Sequence, residues 1–426
     1  MAQPTLKLWR DQIRQELEGL DPLRLRRLRS FEPSANAGLR PAGDHTGLRP
    51  ASDHAGLRPA GDHAGLRPAC DQAGEALLDL TSNDYLGLSR DPEVLAAAAA
   101  ELERSGLGAG ASRLVSGSRP VHQMLERQLA DWLGQERVLL FPSGFQANLA
   151  AVVALVDRRG LVLADRLIHH SLLVGVQASG ARLRRFGHNN VADLERRLAR
   201  ARAEQPAQRR LVLVESLYSM EGSSPDLEAI AACCQRLDAL LLVDEAHALG
   251  VLGGEGRGLA RDCAGVGLVS GTFGKAFGSG GAFLAGEALL GEWLLQSSGG
   301  FRYTTALAPP LAAGALAALA WLRRHPQAGQ ELLNEAERWR QALEAAGWPR
   351  PPGQGPILSL ALGHDRRALE LERRLEHQGL LAIAIRPPTV PEGTARLRLV
   401  LRRGLPNDSL ERLLTALGPG PGSICD

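Results

Sequence analysis

Cysteine is scarce in this chain: five occur in 426 residues. Cys70, Cys233, Cys234, Cys263 and Cys425 are irregularly spaced, and neighbours such as Cys233 and Cys234 do not form the usual staple. The pattern excludes a disulfide framework and points to a reducing compartment, read as the cytoplasm. Long apolar runs are missing too. None approaches the roughly 18 residues of a membrane span, and the start, "MAQPTLKLWRDQIRQ", lacks the apolar core of a signal peptide. Nor is there a charge imbalance: 49 basic against 47 acidic residues leave a formal charge of +2. That argues against a dedicated nucleic-acid binder. What the chain has is length and 44% hydrophobic residues, enough for one large domain and one smaller one.

One segment differs in texture. From Gly38 to Ala73 a nine-residue unit recurs four times, as "GLRPAGDHT", "GLRPASDHA", "GLRPAGDHA" and "GLRPACDQA". Each unit has one sizeable apolar side chain, too little burial to offset the entropy of ordering, so the segment is expected to be a mobile linker. Its Asp-His pairs (Asp44-His45, Asp53-His54, Asp62-His63) are read as ordinary linker polarity and not as metal ligands. The expected organisation is a basic helical arm over 1–33, the repeat within 34–75, a large domain over 76–305 and a small domain over 306–426.

After Ala76 the runs "RVLLFPSG" (137–144), "GLVLAD" (160–165), "RLVLVES" (210–216), "ALLLVDEA" (239–246) and "GVGLVS" (265–270) read as buried strands. Helix-like segments such as "DLEAIAACCQRLD" (226–238) lie between them. The alternation predicts an α/β fold with a mostly parallel sheet covered on both faces. Such sheets carry their chemistry at the carboxyl ends of the strands.

The stretch "SGTFGKAFGSGG" (270–281) sets Lys275 among five glycines just after a strand. A Walker loop is excluded, because Gly271 is too close and Ala276 follows the lysine. "GLGAGA" (106–111) follows a helical run and not a strand, which excludes a dinucleotide fingerprint. What remains, beyond a plain surface turn, is a lysine that forms an imine with a carbonyl cofactor. Pyridoxal phosphate asks for two more contributions, a carboxylate for the ring nitrogen and a phosphate cup. Asp244, in "LLLVDEAHALG", suits the first, although a lone Asp there is commonly a helix cap or salt-bridge partner. Ser143, Gly144 and Phe145 open the helix "QANLAAVVALV" and point backbone N–H groups at an anion. Thr272 adds a hydroxyl to the same phosphate.

With "TSNDYLGLS" (81–89), "ADRLIHHSLL" (164–173), "VESLYSMEG" (214–222), "FRYTTALAPP" (301–310) and "AIRPPTVPEGTARLRL" (384–399), these motifs resemble the α-oxoamine synthase family of pyridoxal phosphate enzymes. The likeness runs from Leu78 to the C-terminus and includes the basic arm. It implies an aspartate-aminotransferase-like fold of type I, with a large mixed, mostly parallel sheet domain, a smaller α+β domain and an N-terminal arm. It implies a homodimer with shared sites, in which an amino acid and an acyl thioester condense with loss of CO2. By resemblance His169 stacks on the cofactor, the neighbouring His170 leaving the choice ambiguous by one residue. Ser219 and His247 bond its phenolic oxygen, and Thr304 and Thr305 reach the phosphate of the neighbouring subunit. Arg398 binds the substrate carboxylate, the role that a planar guanidinium fills best. Arg396 and Arg398 are read as alternating along a strand and pointing to opposite faces. Asn83, Arg24, Arg386 and Thr389 match the acyl-donor side, Arg24 lying with Arg26, Arg27 and Arg29 on a basic helix face. Within the family, the Arg-Pro-Pro start of the last motif favours L-alanine with a pimeloyl thioester, carried on CoA or a carrier protein. The alternatives are glycine-using sisters and, in another class, a non-catalytic binding subunit. Retention of Lys275 speaks against the last.

Overall fold

Strands buried on both faces must be apolar along their length, and five runs of that kind build the centre of the molecule. In the computed structural model, which describes residues 5–24, 26, 28–33, 38–41 and 76–420, fourteen strands appear among the described residues. Three short ones come first: β1 (Phe31–Pro33), β2 (Gly38–Pro41) and β3 (Leu77–Asp79). The large sheet uses β4 (Arg137–Phe141), β5 (Leu161–Asp165), β6 (Arg182–Phe186), β7 (Arg210–Glu215), β8 (Leu240–Asp244), β9 (Leu268–Thr272) and β10 (Ala282–Gly286). The C-terminal part adds β11 (Ile357–Gly363), β12 (Leu380–Leu381), β13 (Ile383–Ile385) and β14 (Ala395–Val400).

The large sheet runs β4-β10-β9-β8-β7-β5-β6. The pairs β8–β9, β7–β8, β5–β7 and β5–β6 are parallel, while β10 lies antiparallel between β4 and β9. The expected mostly parallel sheet is present, with a mixed edge. Register matters for the site: Glu215 stands level with Asp244, and Asp244 with Ser270. The carboxyl ends of β7, β8 and β9 therefore form one ledge. Helices cover both faces; one of them, Gly144–Leu155, packs Ala147, Ala151 and Val152 against Leu139, Phe141 and Leu284. A fully buried Leu, Val or Phe contributes about 1.5–3 kcal/mol over an exposed one, so this core dominates the stability of the domain.

Two small sheets frame the ledge, one of order β11-β14-β13 and one of order β1-β2-β3-β12. The second departs from expectation in two ways. Gly38–Pro41, the start of the nonapeptide repeat, is a strand paired with both β1 and β3, and Gly38 is buried. The mobile-linker reading is corrected there, because two neighbouring strands satisfy its backbone and a run of four needs no core of its own. The rest of the repeat, from Ala42 to Ala73, lies outside the described residues. Leu77–Asp79, assigned above to the large domain, pairs in parallel with Leu380–Leu381 and so joins the C-terminal unit. The helix Pro309–Arg324, just past the expected boundary near Ala306, packs on the large-domain helices Pro92–Ser105 and Pro120–Leu133.

Candidate active site

Lys275 sits on a tight turn that leaves the end of β9 and returns as β10. The turn closes on itself through Gly278 N–H to Lys275 O (2.8 Å), Ser279 N–H to Phe273 O (2.9 Å) and Phe273 N–H to Gly281 O (2.9 Å). Gly278 has φ +61° and lies against the backbone of Leu88 and Ser89, where a Cβ would meet Ser89 N at 2.1 Å. That position requires glycine. The lysine side chain is half-buried. Burial lowers its pKa from 10.5 to about 8, with Asp244, and Glu215 when it is charged, opposing the shift and Arg398 adding to it. An amine at that value is uncharged about one-tenth of the time at pH 7 and about half the time at pH 8, far more than an ordinary lysine, which suits a nucleophile or base.

Asp244 ends β8 and is 4% exposed. Asn148 Nδ2 donates to its Oδ2 at 2.7 Å and the Ala246 N–H to its Oδ1 at 2.9 Å. The same Asn148 amide donates to Ser171 Oγ (3.0 Å), which lies 2.7 Å from His169 Nδ1. The backbone N–H of Ser171 also points at that nitrogen (3.3 Å). Nδ1 is thereby assigned as an acceptor, which leaves the proton on Nε2. Burial and Lys275 lower the His169 pKa, with Asp244 opposing. His169 caps the helix that begins at His170.

From the small domain, β14 brings Arg398 into the same cluster. Its Nε donates to the Ser219 carbonyl at 2.7 Å and its Nη2 to Asn83 Oδ1 at 2.9 Å. Arg396 reaches the same loop, donating to Glu221 Oε1 at 3.0 Å and the Met220 carbonyl at 3.3 Å. The expectation of opposite faces is corrected: residues two apart on a strand share a face, since the side-chain period is two. His247 is buried, with Nδ1 2.6 Å from the Tyr85 hydroxyl. Burial, together with Lys275 and Arg398, pushes His247 well below its usual value, and burial raises Tyr85. Tyr85 therefore keeps its proton beside a neutral His247.

At the next strand end, Ser143 caps the helix Gly144–Leu155 and accepts from the Gln146 N–H at 3.3 Å. Thr272 lies against this terminus. A Cβ on Gly144 would stand 3.6 Å from Thr272 Cβ, and Thr272 Oγ1 accepts from the Gly274 N–H at 3.2 Å. Phe145 is 45% exposed, so its backbone and not its ring is what the helix start offers.

Five expected residues lie elsewhere. Arg24 donates to Glu392 (2.7 and 2.8 Å) and to Asp365 (3.2 Å), and Arg26 donates to Thr389 Oγ1 (2.7 Å). The arm is thus joined to the small domain beside Arg386, whose Nε is buried without a hydrogen-bond partner. Thr305 forms an isolated bridge with Ser112, and Thr304 stands beside it.

Three contributors were not singled out from sequence: Asn148, Tyr85 and Glu215. Asn148 hides in an alanine-rich helix, Tyr85 within an otherwise recognised motif, and Glu215 at a strand end where a carboxylate reads as a cap. A further signal was available in the composition. Lys7 and Lys275 are the only lysines in the sequence, so a lysine just past a strand end stands out, and imine formation is chemistry that arginine does not perform.

Comparison with known proteins fits this geometry. The family model for class I and II aminotransferases matches residues 75–417. The chain belongs to that family. An 8-amino-7-oxononanoate synthase from Gluconacetobacter diazotrophicus is 42% identical over 351 residues, 81% of this chain and 88% of its own. Among solved structures, a serine palmitoyltransferase from S. paucimobilis with a bound PLP-myriocin aldimine matches with TM-score 0.77 and 28% identity, over 81% of this chain and 87% of its own. An 8-amino-7-oxononanoate synthase from Francisella tularensis matches with TM-score 0.69 and 27% identity, over 80% and 96%. Within the aminotransferase family the chain is an α-oxoamine synthase, an acyltransferase that uses pyridoxal phosphate. The residues present suit that cofactor: a half-buried amine of lowered pKa, a buried carboxylate with both oxygens hydrogen-bonded, and a helix N-terminus beside a threonine hydroxyl. No helix of the described residues is long and apolar enough to cross a membrane.

Proposed function

We propose that this enzyme condenses L-alanine with a pimeloyl thioester, of CoA or a carrier protein, giving 8-amino-7-oxononanoate, CO2 and free thiol for biotin biosynthesis. The observation that carries the reading is the cluster of Lys275, Asp244 and Arg398 at one strand edge, in a chain 42% identical to a synthase of that name across most of its length. Bound there, pyridoxal phosphate supplies an electron sink for charge left at the amino-acid Cα. Lys275 holds the cofactor and then acts as the base at Cα, its pKa of about 8 suiting both tasks. Asp244, with a donor on each of its oxygens, is the carboxylate that would pair with the ring nitrogen. Ser143, Gly144, Phe145 and Thr272 hold the phosphate, and His169, Ser219 and His247 line the ring. Arg398, oriented by Ser219 O and Asn83, holds the amino-acid carboxylate and sets the angle of the Cα–H bond.

The working unit in this reading is a homodimer. Leu107, Leu114, Val115 and Tyr303 are 52–79% exposed, on the same stretches as the Ser112–Thr305 bridge. A second copy covers that apolar surface and brings Thr304 and Thr305 to its own phosphate site. Arg386, Thr389 and the arm at Arg24 flank the acyl chain. The likeness to a serine palmitoyltransferase favours one second reading, a serine-using acyltransferase. The test is competitive: alanine, glycine and serine are offered together with pimeloyl-, acetyl-, succinyl- and palmitoyl-CoA, and the ketone formed is identified. Alanine with pimeloyl-CoA is expected to give the highest kcat/KM. Preference for serine or glycine with another acyl donor overturns the substrate assignment.

A further inference from the structure

The parallel register of β7 and β8 sets two carboxylates side by side. Glu215 is the last residue of β7 and stands level with Asp244, the last of β8. Residues in register on adjacent parallel strands project from the same face of the sheet. Both are buried, Glu215 at 3% exposure and Asp244 at 4%. Two such carboxylates do not both ionise readily, since each charge loses its hydration and repels the other.

Hydrogen-bond donors decide which one keeps the proton. Asp244 accepts on both oxygens, from Asn148 Nδ2 and from the Ala246 N–H. The backbone N–H of His169 faces Glu215, whose Oε1 is buried without a hydrogen-bond partner. A proton is held most readily on the oxygen that no donor occupies. We infer that Glu215 is protonated beside Asp244, and that it is a positioning residue: it supports the His169 main chain that it faces at the sheet edge and spares Lys275 a second negative neighbour.

The groups that face Glu215 agree with this assignment. Burial, then Asp244, push its carboxyl well above the usual carboxylate range; Glu221 on the following loop adds to this, while Lys275 on the turn after β9 and the His169 N–H oppose it. Arg398 on β14 also acts on Lys275, lowering its pKa. An ionised Glu215 would strengthen the hold of Lys275 on its proton, and a neutral one does not.

The inference rests on the reading of Lys275 and Asp244 as the cofactor-holding pair, but not on the choice of substrate. Two readouts on the holoenzyme test it. The first is the pH titration of bound pyridoxal phosphate absorbance in the parent, Glu215→Gln and Glu215→Ala. Glutamine mimics the neutral acid, so the midpoint is expected to stay put and kcat to remain within about threefold of the parent. If Glu215 were ionised, removing its charge would lower the midpoint by about one unit or more, which overturns the inference. Glu215→Ala is expected to lower kcat about tenfold or more where glutamine does not, because the His169 main chain loses the group that supports it. Parent-like behaviour of the alanine variant overturns the positioning role. The second readout is the infrared difference between parent and Glu215→Gln at pH 8. A protonated-carboxyl C=O band present only in the parent supports the assignment; carboxylate bands in its place refute it. A wrong substrate assignment would leave both readouts intact.

Discussion

At the carboxyl edge of the large sheet, Glu215, Asp244 and Arg398 are buried, Lys275 is half-buried, and the four act on one another electrostatically. At the N-terminal arm, Arg24 and Arg29 pair with Glu392, Asp365 and Glu376 at the surface, with side chains 33% and 37% exposed. The residue types are the same, but burial changes what they do. A charge without water takes its protonation state from its neighbours, so Lys275 is held near pKa 8 and His247 is kept neutral. A charge in water is screened, and its pair contributes little beyond a tether. The sheet edge is therefore where single substitutions should change chemistry, and the arm where they should change little.

The comparison is sharpened most by Lys275→Ala. The variant is expected to retain cofactor through the phosphate site yet lose turnover by at least about three orders of magnitude, since attachment point and base are both gone. Cofactor content by absorbance and kcat by product formation check this. Asp244→Asn comes next, with a fall of about two to four orders in kcat and an unchanged melting temperature, because a neutral amide no longer favours the protonated ring. Normal activity there would make Asp244 structural. Arg398→Lys keeps the charge but loses the fork that meets Ser219 O and Asn83, and is expected to raise the amino-acid KM about tenfold or more.

A milder test concerns the repeat. Every unit begins Gly-Leu-Arg-Pro, so deleting 38–64 brings Gly65-Leu66-Arg67-Pro68 to the place of β2. The sheet should survive, and the connection to β3, shortened by about two halvings, should stabilise the fold by about 1 kcal/mol. Deleting all of 38–73 removes the strand and should destabilise it instead; calorimetry on the two deletions separates the outcomes. At the small end, Arg24→Ala should leave the melting temperature unchanged. A large drop would show that the arm is integral to the fold and would break the comparison.

Much of this was legible in the sequence because strand ends announce themselves. "ALLLVDEA" and "GVGLVS" end at Asp244 and just before Lys275, and a parallel sheet brings such ends together. The two unread strands of the large sheet fail that rule for physical reasons: β6, "RLRRF", is an edge strand with arginines on both faces, Arg182 and Arg185 exposed, and β10, "AFLAG", is a short run without β-branched residues. The partners of Arg24 stand 341 and 368 residues away, beyond the reach of local pattern. Arg396 and Arg398 show a different failing: the strand was legible, but the period of two places them together. Glu215 was passed over because only register reveals its neighbour.

The central claim is that Lys275 carries the cofactor, and the scarcity of lysine makes it directly measurable. With Lys7 and Lys275 the only two in the chain, borohydride reduction of the purified yellow enzyme, followed by proteolysis and mass spectrometry, has two lysine-bearing peptides to distinguish. Phosphopyridoxyl mass is expected on the peptide containing Lys275 and none on the peptide containing Lys7. Label on Lys7, or a reduced enzyme with no covalent label, would contradict it.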